Sequence, residues 1–369
     1  MSRPDPSVLI ERTVAGIHPL DQSAIAAARQ RLDQLTKPPG SLGRLEDLAA
    51  HIAGITGNPM PRVTERVVVT CAGDHGVTAE GVSAYPAAVT PQMVYNFVRG
   101  GAAINVLARR AGARVVVADL GVDHDFPPDL PIVHAKVGRG TANVAQGPAM
   151  SREQAQQAVA AGIVIVEREL NSRPSSAPRE GTYLFATGDM GIGNTTASSA
   201  VAAAITGAAP AEVTGRGTGI DDDTWQRKVA VIGRALEVNR PNPADGLDVL
   251  AKVGGYEIGG IAGVILGAAA HRCPIVIDGF ISGAGALIAA ALCPAVRDSL
   301  IAAHTGAEPG HRIILRHLGL TPLLALDLRL GEGTGAALAL PLIDSALAIL
   351  HEMATFAEAG VSGRETGPE

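Results

Sequence analysis

Carboxylates recur in this chain at the ends of apolar runs, each set among glycines: AGDHG (72–76), TGDMGIGN (187–194), DGFISGAG (278–285) and RLGEGTGAALALPL (329–342). The last is the sharpest case. Glu332 stands alone between two glycines and runs straight into a nearly uncharged apolar segment. A carboxylate leaves water only when it is paired, hydrated or used in chemistry. An apolar setting also raises its pKa, which makes it a better proton acceptor. Glu332 is therefore a candidate general base. Its main competitor is Glu308, in HTGAEPGHRIIL (304–315), although Pro309 at a first helical position accounts for much of that motif structurally.

Three further stretches have residue types suited to ligands. In TGDMGIGNTTAS (187–198), Gly188, Gly191 and Gly193 let the backbone turn tightly and approach a ligand. Asn194 or Thr195 can cap the helix that follows, whose free N–H groups favour a phosphate. Spacing alone leaves a plain tight turn equally open. In TGRGTGIDDD (214–223), Gly215, Gly217 and Gly219 can form an anion nest or merely a solvated loop. Lys228, on the next helix, reads by itself as a surface charge. In GDHGVTAEGVSAYPAAVTPQMV (73–94), Asp74 and His75 fit an acid–base unit, a metal-ligand pair or a capped loop. Ser83, Tyr85 and Gln92 could hydrogen-bond a flat heterocycle. No companion ligands stand at metal spacing. G-x-G-x-x-G and the P-loop are both absent, and no Gly-Lys dipeptide occurs, which argues against triphosphate chemistry of the P-loop type. Without G-x-S-x-G or a Cys beside a His, covalent catalysis has little support.

What must position these residues is an alternating α/β framework. Short β-rich runs appear at 66–72, 114–121, 182–187, 273–280 and 323–331, separated mostly by Ala-rich stretches of helical length. Unbroken apolar strands alternating with helices predict a Rossmann-like parallel sheet with helices on both faces. Ligands of such sheets bind outside the carboxyl ends of the strands, so the four strand ends that carry these glycine turns are expected to converge on one site. Residues 21–56 read as two helices broken by Pro38, Pro39 and Gly40, with Ser41 capping the second. Strands are confined between helical ends. The expected organisation is therefore an α/β domain over 61–340 and a small helical domain from 1–60 and 341–369. Segment 172–181 reads as a polar loop, and the tail after Gly360 as frayed.

Composition narrows the function. The 369 residues are 47% apolar but only 3% aromatic, so Ala, Val, Leu and Ile must fill the core. A net charge of −6 without clustered positive charge argues against nucleic-acid binding. Three scattered cysteines, Cys71, Cys273 and Cys293, show neither disulfide nor metal spacing and suit a reducing compartment. The N-terminus lacks the apolar stretch of a signal peptide, and the run at 284–296 is too short for a bilayer. A cytoplasmic protein with no membrane partner is expected.

Seven strings occur in order across nearly the whole chain: TKPPGSLGRLEDLA, AGDHGVTAEGVSAYP, GGAAINVLAR, TGDMGIGNTT, TGRGTG, AEPGH and RLGEGTGAALALPL. Together they resemble the nicotinate-nucleotide–dimethylbenzimidazole phosphoribosyltransferases, the CobT family of cobalamin biosynthesis. That resemblance implies transfer of phosphoribose from nicotinate mononucleotide to 5,6-dimethylbenzimidazole, giving α-ribazole 5′-phosphate and nicotinate. It implies a homodimer, no cofactor and no metal. It makes Glu332 the catalytic base and places Asp189 and Gly191 on the nucleotide. Lys228 would match a lysine that reaches across the dimer. Two other readings of the glycine-rich turns compete: a Rossmann-type oxidoreductase or methyltransferase, and a nucleotide-binding regulatory protein without turnover. The first lacks a G-x-G-x-x-G after the first strand, and the second leaves Glu332 without a role.

Overall fold

Four strands show why this sequence folds as a covered sheet. In β1 (Val63–Gly73), Val67, Val69 and Cys71 point into one apolar layer while Val68 and Ala72 point into the other. The same alternation splits Tyr183 and Phe185 from Leu184 and Ala186 in the strand Thr182–Met190. It recurs in the short strands Ile275–Ile277 and Leu300–Ala302, where Val276 and Ile301 face away from their neighbours. A period of two with both faces apolar is the mark of a strand buried on both sides.

The computed structural model describes residues 5–172, 181–217 and 219–362. The polar loop expected at 172–181 and the tail expected after Gly360 fall largely outside them. The strands β1, β2 (Arg114–Gly121), β3 (Val133–His134), β4 (Thr182–Met190), β5 (Ile275–Ile277) and β6 (Leu300–Ala302) form one sheet in the order β3-β2-β1-β4-β5-β6. All pairings are parallel. The chain order reverses between β1 and β4, which creates the crevice where open parallel sheets bind ligands.

The run at 323–331 is not a strand of this sheet. Only Leu324–Ala325 pairs, in a separate two-stranded ladder with His304–Thr305. Leu326 and Leu330 are 53% and 58% exposed, so the apolar alternation here is not a core signal. The sixth strand is Leu300–Ala302, only three residues long and flanked by a 3-10 turn, so its period is too short to stand out. Glu332 accordingly follows an irregular lining segment, not a strand, and introduces the helix Thr334–Glu352.

The two layers are built from different parts of the chain. The helices Arg152–Asn171, Tyr256–Ala270 and Phe280–Leu292 cover one face, joined by the first helix, Pro6–Ala15. The helices Gln22–Gln34, Arg44–Thr56 and Thr334–Glu352 pack together on the other, through Ala28, Leu32, Ile52, Ala53, Ile343 and Leu347. The helix Thr334–Glu352 is apolar enough to cross a membrane by composition, yet its inner side is buried here and Asp344 pairs with Arg66. Ser41 does not cap the helix Arg44–Thr56. Gly43 is its N-cap, and Glu46 instead accepts from Leu42 N–H at 2.9 Å and pairs with buried Lys37 at 2.8 Å.

Candidate active site

The crevice at the carboxyl ends of the strands holds a cavity of about 610 Å³. Its walls come from the turn after β4 (Asp189, Gly191, Asn194), the turn after β5 (Gly279, Phe280), the segment after β6 (His304, Glu308) and the strip Asp327–Glu332. Val89, Met93 and Tyr85 close the remaining side.

Glu332 is the most constrained of these residues. It adopts φ 63, a left-handed conformation that a non-glycine residue rarely takes, between Gly331 (φ 84) and Gly333 (φ 99). The turn is tied down at both ends. Glu332 N–H donates to the Asp189 carbonyl at 3.1 Å, and Thr70 Oγ1 donates to the Glu332 carbonyl at 3.0 Å. Gly188 lies against this turn so closely that a Cβ there would collide with the Glu332 carbonyl oxygen. The side chain is 5% exposed, and its Oε2 accepts from Ile104 N–H at 3.2 Å. Among the described residues, Oε1 has no hydrogen-bond donor. Burial raises the Glu332 pKa, the Ile104 N–H partly offsets this, and the nearby charge of Asp278 raises it further.

A second carboxylate, Asp189, faces the same cavity. Its Oδ2 accepts from Asn194 Nδ2 at 2.9 Å, whereas Oδ1 is buried without a donor. Burial and then the charge of Asp278 push its pKa well above the usual carboxylate value, and Glu257 and Glu332 add to this. Asn194 therefore does not cap its helix. Gly193, at φ 94, is the N-cap of Asn194–Thr206, and the Asn194 amide is spent on Asp189.

The opposite end of the cavity gathers the second glycine cluster. Gly217 N–H donates to Glu308 Oε1 at 2.9 Å, and Arg329 reaches the Gly217 carbonyl at 3.4 Å. Glu308 thus has a structural partner in place, although its Oε2 is buried without a donor. Gly219 (φ 101) turns the chain behind this wall without lining the cavity.

Lys228 is not a surface charge. It is 1% exposed, and its Nζ donates to Thr195 Oγ1 of its own chain at 2.8 Å. This conformation sets the lysine next to Gly217 and Glu308. The helix Asp222–Asn239 carries it inward because Val231, Ile232 and Ala235 bury the same side. Burial lowers its pKa to about 8, with Glu308 opposing. Above pH 8 the folded protein loses this proton, while the unfolded chain holds it up to about the ordinary value of 10.5. The unfolded state then binds more protons, so this group's contribution to stability rises from pH 8 to about 10.5. Thermal unfolding of wild type and Lys228→Met at pH 7.5 and 9.5 should show the difference shifting in favour of wild type at the higher pH. A constant difference would remove the buried-ammonium assignment.

Other residues singled out in the sequence lie elsewhere. Ser83 caps its own loop, accepting from Tyr85 N–H at 3.2 Å, and Gln92 is exposed on the outer side of its helix. Neither lines the cavity, whereas their neighbours Tyr85 and Met93 do. Asp74 and His75 are interior. His75 Nε2 lies 2.7 Å from Glu257 Oε1 with both side chains buried, and Asp74 Oδ2 accepts from Asp123 N–H at 2.9 Å. This pair braces the loop after β1 and does not face the cavity. Among the described residues, no group of three or more His, Cys, Asp or Glu side chains is arranged to hold a metal.

Two residues beside the site were not picked out individually by sequence reasoning. Asp278, at the end of β5, accepts from Gly333 N–H at 3.1 Å and Ala336 N–H at 2.9 Å. His304 lines the cavity with its Nε2 3.7 Å from Asp278 Oδ1. The signal for Asp278 was present, a lone carboxylate closing a buried strand in CPIVIDGF, but nothing local says what it would hold.

Comparison with known proteins agrees with this geometry. A family model described as phosphoribosyltransferase matches residues 17–361. The nicotinate-nucleotide–dimethylbenzimidazole phosphoribosyltransferase of Chloroflexus aggregans is 60% identical over 97% of this chain and 99% of its own. The protein of the same name from Desulforamulus reducens is 57% identical over 96% of this chain and 99% of its own. The crystal structure of CobT from Thermus thermophilus superposes with a TM-score of 0.87 at 50% identity, covering 93% of this chain and all of that one. The family match over residues 17–361, the 60% identity along almost the full length of both chains and the shared fold show that the chain belongs to the nicotinate-nucleotide–dimethylbenzimidazole phosphoribosyltransferase family.

Proposed function

We propose that the protein transfers phosphoribose from nicotinate mononucleotide to 5,6-dimethylbenzimidazole, giving α-ribazole 5′-phosphate and nicotinate in assembly of the cobalamin nucleotide loop. The observation that carries the reading is Glu332: a buried carboxylate with one oxygen fixed by a main-chain N–H, at the wall of a cavity that also presents Val89 and Met93. A flat, mostly apolar base suits that wall.

The chemistry follows from the charges. A ring nitrogen of the base attacks the ribose anomeric carbon from the face opposite the pyridinium. The bond from that carbon to nicotinate breaks, and its electron pair returns to the pyridine nitrogen. Nicotinate leaves with a neutral ring, so no strong general acid is required. The new bond places positive charge on the benzimidazole, and Glu332 removes the proton from its other ring nitrogen. Attack from the opposite face turns a β-nucleotide into an α-nucleotide. A base must be ionised to act, so the rate should fall on acidification through a pKa above the ordinary glutamate value of 4.5.

The nucleotide fits the other half of the cavity. The positive end of Asn194–Thr206, where Lys228 Nζ meets Thr195 Oγ1, favours a phosphate. Asp189 Oδ1, buried without a donor, suits a ribose hydroxyl, with Gly191 alongside. The working form is a cytoplasmic homodimer, for which the exposed Tyr85, Leu326 and Leu330 near the mouth offer an apolar contact; a monomer in sedimentation would count against it. Of the small domain expected from 1–60 and 341–369, the helices over 22–56 act together with Thr334–Glu352, whereas Pro6–Ala15 packs on the opposite face of the sheet. The direct test is incubation with nicotinate mononucleotide and a panel of bases, with products identified by mass. Equal amounts of nicotinate and α-ribazole 5′-phosphate are expected. Nicotinate release without a ribosylated base would overturn the reading.

A further inference from the structure

We propose that Asp278 is the positioning residue of the catalytic turn: it holds Gly333 and Ala336 by their N–H groups and so fixes where the Glu332 carboxylate stands. The inference rests on Glu332 being the base. Asp278 is 1% exposed and lies at the end of β5, a central strand, so its own position is rigid. Its Oδ2 accepts from Gly333 N–H at 3.1 Å and its Oδ1 from Ala336 N–H at 2.9 Å. Both oxygens therefore act as acceptors; burial raises the Asp278 pKa, while His304 and these N–H groups oppose the rise and favour the ionised carboxylate. The Asp278 charge also meets the N-terminus of Thr334–Glu352, where a helix favours an anion.

The residue it clamps is under strain. Glu332 is held at φ 63, and such a conformation persists only where the surroundings over-determine it. The Thr70 and Asp189 contacts fix the main chain from the β1 and β4 side, and Asp278 fixes it from the β5 side. The charges facing Glu332 from these elements are Asp189 and Asp278, with His304 beside Asp278, Glu257 beyond Asp189 and Arg329 on the same strip. Asp278 thus has two effects on the base: it sets its place, and its negative charge favours the protonated form.

The test is Asp278→Asn in the full-length protein, assayed with nicotinate mononucleotide and dimethylbenzimidazole across pH. Asn can accept only one of the two N–H bonds and turns its amide toward the other. A shift of the base of about 1 Å is worth on the order of 100-fold in rate. We expect kcat to fall roughly 10- to 100-fold with KM for both substrates within about threefold. The acid limb of the rate profile should move to lower pH, because a like charge has been removed from beside Glu332. Asp278→Glu should keep the limb in place while kcat stays low, since it restores charge but not position. A purely structural residue would lower Tm and leave the limb unmoved, and that result overturns the proposal. Should the Asn variant fail to fold, Thr187→Val loosens the support of Asp278, because it removes the Oγ1 that accepts the Asp278 N–H at 3.4 Å and donates to Ser282 Oγ at 2.9 Å. An unchanged kcat in that variant would then count against the clamp. Glu332→Gln separates the two readings: a normal rate there removes the base itself, whereas a collapsed rate with a normal Asp278→Asn removes only the clamp.

Discussion

Replacing Glu332 by Gln is expected to lower kcat on the order of 100-fold or more while both substrates still bind. The amide oxygen of Gln can accept the Ile104 N–H that Oε2 accepts now, so the turn keeps its shape. What is lost is the ability to take a proton. A structural acid would behave differently: its loss would appear in Tm, at about 0.5–2 kcal/mol for a missing cap-type bond, with a near-normal rate. Glu308→Gln is the matched control. It too lines the cavity and precedes a helix, but its Oε1 accepts Gly217 N–H, a contact the Gln oxygen can keep. A normal rate for Glu332→Gln together with a collapsed rate for Glu308→Gln would transfer the base to Glu308.

Gly191→Val is expected to cost folding stability before it costs any one substrate. The sequence suggests that a side chain here would block the nucleotide, which predicts a selective loss of nicotinate mononucleotide binding. The packing changes that expectation. A Cβ at Gly191 would strike the main-chain carbonyl oxygen of Gly73, at the end of the neighbouring central strand. Backbone cannot move aside as a flexible side chain can, so the substitution is expected to destabilise by about 3 kcal/mol, the upper part of the range for overpacked sites. Thermal unfolding and binding of both substrates would be measured together. A variant with normal Tm and impaired nucleotide binding alone would restore the simpler account of this turn.

Much of the α/β framework was legible in the sequence because its signals are local. A strand buried on both faces reads as an unbroken apolar run, and Val67–Val69 and Tyr183–Ala186 say so without help from the rest of the chain. The glycine-set carboxylates at Asp189, Asp278 and Glu332 were visible for the same reason: a charge at the end of an apolar run is a local anomaly. Short elements were not legible. Leu300–Ala302 is too brief for its period to register, whereas Leu323–Leu330 alternates convincingly but lies largely exposed along the cavity rim.

Only the tertiary structure decided which polar residues meet. Lys228 is separated from Thr195 and Glu308 by tens of residues in sequence, so no local pattern distinguishes it from a solvated lysine. Helix packing turns it inward, onto Thr195. His75 has the same local look as a catalytic histidine, yet Glu257 arrives from a distant helix and holds it in the interior. Asp278 and Glu332 lie on separate elements, and their relation exists only because β5 ends beneath the start of the helix Thr334–Glu352. The sequence by itself determined which side chains were unusual for their surroundings. The fold decided which of them share a cavity, because hydrogen bonds and charge interactions depend on distance in space and not on separation along the chain.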